Sequence, residues 1–219
     1  MAGEPLPPYV HQYLDRLVPP RPSEMQAMEA WAREHRFPIV GPAAGQFCYL
    51  MARVCGARTV FELGSGYGYS TAWFARAVQE NGGGVVHHVV WDEELSRRAR
   101  RHLAALGLAD VVRYRVGEAV GALRDTPGPF DLIFNDIEKQ GYPASLPVIY
   151  EKLRPGGLLI ADNLLFHGRV FDPDDRSPAV EAIRTFTRMV TDDPRWTAAI
   201  VPIRDGLLVA RKREEPGGW

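Results

Sequence analysis

Cysteine is scarce: the chain of 219 residues has two, Cys48 and Cys55. They form neither a CxxC pair nor the spacing of a zinc site, and both sit in an apolar segment, so they read as reduced core thiols. No surplus of either charge is present, with 26 Lys and Arg against 27 Asp and Glu and a formal net charge of -1. A chain so balanced has no basic field for nucleic acid or for an anionic membrane. No apolar window approaches the roughly 18 residues that a membrane-spanning helix needs. The start, MAGEPLPPYV, lacks the basic-then-apolar order of a secretory leader. These absences point to a soluble cytoplasmic protein with a small-molecule partner. The Pro-rich start and the ending REEPGGW read as loose tails, and no internal repeat is evident.

What the chain does contain is alternation. Three helices are expected first, at about residues 9–17, 23–35 with Ser23 as its N-cap, and 43–55. Apolar runs and amphipathic segments then take turns: TVFEL and YSTAWFARAV, VVHHVV and EELSRRARRHLAAL, VVRYRV and EAVGAL, FDLIF and PASLPVIYEKL, GLLIA and a helix near 178–190. Within EELSRRARRHLAAL, Leu95, Ala99, Leu103 and Leu106 form one apolar stripe beside an arginine-rich face. Strands alternating with helices of this length predict an α/β, Rossmann-like, doubly wound sheet that is mostly parallel and covered on both faces. The tail breaks the pattern, because WTAAIVPI and GLLVARK are separated only by Arg204 and Asp205. They predict a hairpin that adds an antiparallel C-terminal strand. The expectation is one domain over 1–219, with N-terminal helices in 1–56 and a seven-stranded core in 57–219.

The segment FELGSGYGYST joins the first strand of this core to its helix, where an open α/β sheet places its ligand. Gly64, Gly66 and Gly68 permit a tight turn and a close ligand approach, while Ser70 and Thr71 can donate hydrogen bonds at the helix N-terminus. A dinucleotide fingerprint needs glycine where Tyr69 stands, and the Gly-Lys-Ser/Thr of a P-loop is absent. Glu62, inside the strand, can receive an ammonium group, which suits an amino-acid-bearing nucleoside better than a pyrophosphate. Glycines that serve only the turn are the alternative.

Two later strands end in acid and amide: FNDIEK places Asp136, and LLIADN places Asp162 and Asn163. A carboxylate ending a buried strand is costly unless a charge lies opposite it. Neighbouring strands of a parallel sheet end at one edge, so these groups can converge there. Two carboxylates and an amide oxygen are hard donors suited to Mg²⁺, or to another divalent ion such as Mn²⁺ or Ca²⁺, and not to zinc. Read singly, Asp136 is equally a helix cap and Asp162-Asn163 a strand-end turn.

The motifs ELGSGYGYST, FDLIFNDIEKQGY, LRPGGLLIADNLLFHGRV and DGLLVARK together resemble the class I S-adenosylmethionine-dependent methyltransferases. More narrowly, they resemble the metal-dependent O-methyltransferases of the catechol and caffeoyl-CoA type, from about residue 40 to residue 212. The resemblance implies methyl transfer from S-adenosyl-L-methionine to a hydroxyl of a small, vicinal-dihydroxy aromatic acceptor, by in-line attack on the sulfonium methyl, in a homodimer. It assigns metal ligation to Asp136, Asp162 and Asn163, and catalysis to Lys139 with Asp136 beside it. It sets Val40, Glu62, Gly64, Ser65 and Ser70 at the cofactor's methionine end, with Gly66 and Asp136 also against the cofactor and Glu118-Ala119 at the adenine. His167 receives no role.

Departures from the family pattern matter too. Val90 stands where an acid for the ribose hydroxyls is usual, and Asp92 is the nearest substitute, with an N-cap as its equal alternative. Trp91 is a candidate flank for the adenine, Ile137-Glu138 replaces a common Ala-Asp, and Phe166 replaces a common tryptophan. Two rival functions share the scaffold, an NAD-dependent dehydrogenase and a non-catalytic nucleoside-binding protein. Tyr69 in place of glycine argues against the first. Lys139 together with three candidate ligands argues against the second. The N-terminal helices and FHGRVFDPDDRSP are expected to border an acceptor pocket or a subunit contact.

Overall fold

The computed structural model describes residues 7–214. Three helices lead, α1 (Pro8–Leu17), α2 (Ser23–His35) and α3 (Gly41–Val54). The core then runs β1 (Thr59–Leu63), α4 (Tyr69–Glu80), β2 (Val85–Val90), α5 (Glu93–Ala105), β3 (Val112–Val116), α6 (Ala119–Asp125), β4 (Phe130–Asn135), α7 (Tyr142–Lys152), β5 (Leu153–Ala161), α8 (Pro178–Thr191), β6 (Trp196–Val201) and β7 (Leu207–Lys212).

Helix starts differ from expectation for local reasons. Ser23 is the first residue of α2 and makes no cap; Pro22 holds the cap position, and its carbonyl accepts from Gln26 N at 3.1 Å. Helix α3 begins at Gly41, because Pro42 fits the first turn and Asp15 Oδ1 satisfies the free N–H of Ala43 at 3.0 Å.

The seven strands lie in the order β3-β2-β1-β4-β5-β7-β6. Strands β1 to β5 pair in parallel, while β7 runs antiparallel to both β5 and β6. The hairpin turn is longer than Arg204-Asp205 alone, since β6 ends at Val201 and β7 begins at Leu207.

Alternation along each central strand divides the core in two. Val60, Leu132, Phe134 and Ile160 face one apolar cluster, which α2, α3, α4 and α5 complete. Phe61, Leu63, Ile133, Leu159 and Ala161 face the other, filled by residues of α6, α7 and α8. Both faces are therefore covered, and the N-terminal helices share their cluster with the sheet. Cys48 is buried, Cys55 is half-buried, and both are free. Among the described residues no helix is long and apolar enough to cross a membrane.

In this order the chain departs from β1 in both directions, toward β2 on one side and β4 on the other. That reversal opens a crevice at the carboxyl ends of the strands, and the loops ending β1, β2, β4 and β5 meet there.

Candidate functional site

Backbone hydrogen bonds carry the ladders past the strand ends and hold these loops together. Ser65 N donates to Val89 O at 2.9 Å, Asp136 N to Leu63 O at 2.8 Å, and Asp162 N to Asn135 O at 3.1 Å. The loops enclose a cavity of about 510 Å³. Its walls include Val40, Gly64, Ser65, Gly66 and Ser70 at one end, Val90, Trp91 and Ala119 at another, and Asp136, Lys139, Asp162 and Asn163 between β4 and β5.

At the first end the chain turns on Gly64, Gly66 and Gly68, at φ 88, 52 and 94, before α4 begins. Glu62 lies fully buried outside the cavity lining, whereas Ser65 and Ser70 line it. Among the described residues neither carboxylate oxygen of Glu62 has a hydrogen-bond partner. Burial pushes its pKa up to about 7, only partly offset by the hydroxyls of Thr71, Ser70 and Ser65 nearby. A buried carboxylate left without a donor is a site that an ammonium group can satisfy.

Asp92 and Glu118 are absent from the lining. Asp92 Oδ1 accepts from Leu95 N at 2.8 Å and caps α5, and Glu118 caps α6 by accepting from Val120 N and Gly121 N. Of the two readings of Asp92, the geometry holds the cap. The adenine expectation at Glu118-Ala119 keeps only Ala119 on the cavity wall.

Between β4 and β5, each of three side chains has one polar atom committed and one oxygen left over. Asp136 Oδ1 accepts from Lys139 Nζ at 2.8 Å. Asp162 Oδ1 accepts from Asn163 N at 2.7 Å. Asn163 Nδ2 donates to Asp205 Oδ2 at 3.1 Å. Asp136 Oδ2, Asp162 Oδ2 and Asn163 Oδ1 make no hydrogen bond among the described residues. Burial, followed by the charge of Asp136, pushes the Asp162 carboxyl up to about 7. The Asp136 pKa is also raised by burial, against the opposing pull of Lys139. Two cationic side chains, Lys139 and Arg204, thus act on the two crowded carboxylates, and Asp205 adds a third negative charge near Asp136. Among the described residues no three His, Cys, Asp or Glu side chains form a metal-holding group, so any ion here would rely on the Asn163 amide.

Lys139 Nζ also donates to Tyr142 OH at 3.0 Å and to Ile137 O at 3.2 Å. Tyr142 OH in turn donates to Asp162 O at 2.9 Å, tying β4 to β5 behind the carboxylates. Sequence reasoning missed Tyr142, Arg204 and Asp205. Asp-Gly at 205–206 signals a turn, but nothing in the sequence says which loop that turn touches. His167 is exposed and lines the cavity, as does Phe166. A second cavity of about 920 Å³ shares Ile39, His167, Arg204 and Asp205 with the first. Its other walls include residues of α1 and α2, the start of α3 at Gly41 and Pro42, and Leu165, Phe171 and Ile200.

A seven-stranded sheet of this order, with a glycine-turned cavity at its reversal point, defines a class I S-adenosylmethionine-dependent methyltransferase fold. The family model described as O-methyltransferase matches residues 24–213. A catechol O-methyltransferase of Niastella koreensis is 36% identical over 180 residues, 78% of this chain and 80% of that protein. The O-methyltransferase of Bacillus cereus, solved in complex with SAH, superposes with a TM-score of 0.84 at 30% identity, covering 94% of this chain and 97% of its own. The O-methyltransferase TomG of Streptomyces achromogenes, solved with SAM, gives 0.83 at 29% identity, covering 94% and 96%. The chain belongs to the O-methyltransferase family, and it is an S-adenosylmethionine-dependent O-methyltransferase.

Proposed function

We propose that this enzyme methylates a hydroxyl of a small vicinal-dihydroxy aromatic acceptor, and that it needs a divalent cation to do so. One observation carries the reading: Asp136, Asp162 and Asn163 line one cavity, and each keeps an oxygen that makes no hydrogen bond among the described residues. The donor set suits Mg²⁺, Mn²⁺ or Ca²⁺. The ion, when bound, lowers the pKa of a hydroxyl held against it and fixes that hydroxyl's direction.

The chain's own residues do the rest. Gly64, Gly66, Ser65 and Ser70 approach the cofactor's amino-acid end, and Glu62 answers its ammonium. Val90, Trp91 and Ala119 border the adenosine, with Val90 on the cavity wall where the family pattern has an acid. Lys139 spends its three donors on Asp136, Ile137 and Tyr142. Turning the longest of these, the bond to Ile137 O, toward the acceptor lets the ammonium stabilise the oxygen that attacks. The acceptor reaches the site through the second cavity, whose apolar walls at Leu165, Phe171 and Ile200 suit an aromatic ring.

Two broader readings accompany this one. We take the chain as one catalytic domain of the reducing cytoplasm, supported by the cluster that α2 and α3 share with the sheet and by the two free cysteines. We also read the exposed stripe of α1, Tyr9, Tyr13 and Leu17, as the contact of a homodimer, which sedimentation measures directly.

The test is methyl transfer to catechols, hydroxycinnamoyl esters and flavonoids, with and without EDTA. Activity is expected to vanish on chelation and to return with Mg²⁺ or Mn²⁺. Asp162→Ala is expected to abolish turnover while sparing cofactor binding. Full turnover in excess EDTA would leave a metal-free O-methyltransferase.

A further inference from the structure

We infer that Asp205, on the β6–β7 turn, is the positioning residue that fixes the Asn163 amide with its oxygen toward the cavity. The inference rests on the metal reading above and concerns how one of its ligands is aimed.

Asn163 adopts left-handed backbone at φ 64, and Phe166 and His167 follow in the same turn at φ 40 and φ 54. Left-handed backbone is strained for residues other than glycine, so a turn holding several needs support from outside itself. The β6–β7 turn supplies it. Leu164 N donates to Gly206 O at 3.0 Å, Leu165 N donates to Asp205 O at 2.8 Å, and His167 N donates to Asp205 Oδ1. A Cβ on Gly206, at φ 82, would overlap the Leu165 side chain, so the two turns touch with no room between them.

The remaining atom of that carboxylate does the aiming. Asp205 Oδ2 accepts from Asn163 Nδ2 at 3.1 Å. A carboxylate offers only acceptors, whereas an amide has a donating end and an accepting end. Asp205 therefore selects the NH₂ end and leaves Oδ1 free. The flipped amide would set oxygen against oxygen at Asp205 and present N–H groups to a cation. Partners that orient a metal ligand in this way typically contribute a 10- to 100-fold factor in affinity. Asp205 also adds a smaller, purely electrostatic share, because its own negative charge, on the wall of the same cavity, attracts a cation.

The test is titration of the full-length chain with Mn²⁺, without cofactor or acceptor, followed by water-proton relaxation. Wild type is compared with Asp205→Ala, which removes both acceptor oxygens and the charge, and Asp205→Asn, which removes the charge and keeps one acceptor. The His167 N–H cannot turn, so the new amide sets its oxygen there and its NH₂ against Asn163, which favours the flipped Asn163 amide. Asp205→Ala is expected to bind Mn²⁺ about 10- to 100-fold more weakly. Asp205→Asn is expected to bind it more weakly still, and both variants are expected to bind SAH as wild type does. Wild-type affinity in Asp205→Ala overturns the inference. So does equal affinity in the two variants, since both have lost the charge and only the aim differs between them. Where Asp205→Ala does not fold, Asp205→Asn alone decides, and wild-type affinity in it overturns the inference. A wild-type chain that takes up no Mn²⁺ removes the metal reading itself, an outcome distinct from the other two.

Discussion

Gly64 lies against the main chain of Asp136 so closely that a Cβ added to it would overlap the Asp136 carbonyl oxygen and stand 2.8 Å from its carbon. One residue thereby links the cofactor turn after β1 to the acidic loop after β4. Gly64→Ala combines this overlap with left-handed backbone at φ 88. The expected destabilisation is on the order of 2–4 kcal/mol, from backbone strain and overpacking together. Urea unfolding measures it, and SAH affinity is expected to fall as well. A variant as stable as wild type would show that the two loops can separate freely.

Glu62 predicts a pH dependence of opposite sign in the empty and the filled protein. Its folded pKa, about 7, is raised above the ordinary value of 4.5, so between these values the folded state holds the proton more tightly. Stability of the unliganded chain, measured against Glu62→Gln, is then expected to fall as pH rises from 4.5 to about 7, by about 3 kcal/mol in all. An ammonium pairs with the ionised form, so wild-type affinity for SAH is expected to rise over that window, and in Glu62→Gln it is not. Denaturant unfolding and calorimetry across pH check both slopes. Equal SAH profiles for the two proteins would remove Glu62 from cofactor recognition.

The fold was legible because its information is local. Periods of two and of 3.6 residues mark the strands and helices, and their alternation selects a parallel, doubly wound sheet. Asp136, Asp162 and Asn163 were legible for a related reason, since parallel strands deliver their ends to one edge. Ser23 misled because Pro22 already occupies the cap position one residue earlier. Asp92 had two readings that the sequence alone could not separate, and the Leu95 N–H claims its side chain. Asp205 and Tyr142 act across long sequence separations, on Asn163 and on the ends of β4 and β5, and no local pattern encodes such a contact.

Lys139 is where the catalytic reading is most exposed to test. Its ammonium sits 2.8 Å from Asp136 Oδ1, so it partly neutralises the same carboxylates that would hold a cation. Lys139→Met keeps the aliphatic stem and removes the charge. If the lysine serves the attacking oxygen, kcat is expected to drop by about 10²- to 10⁴-fold while the acceptor KM changes little, because the interaction matters in the transition state. Removing a positive charge beside Asp136 and Asp162 is expected to tighten Mn²⁺ binding at the same time. Turnover and metal affinity should therefore move in opposite directions, which a merely structural lysine does not produce. Rapid-quench kinetics and Mn²⁺ titration on the same preparation decide it. An unchanged kcat, or a loss of turnover that tracks a loss of metal, would assign Lys139 to holding the loop rather than to the chemistry.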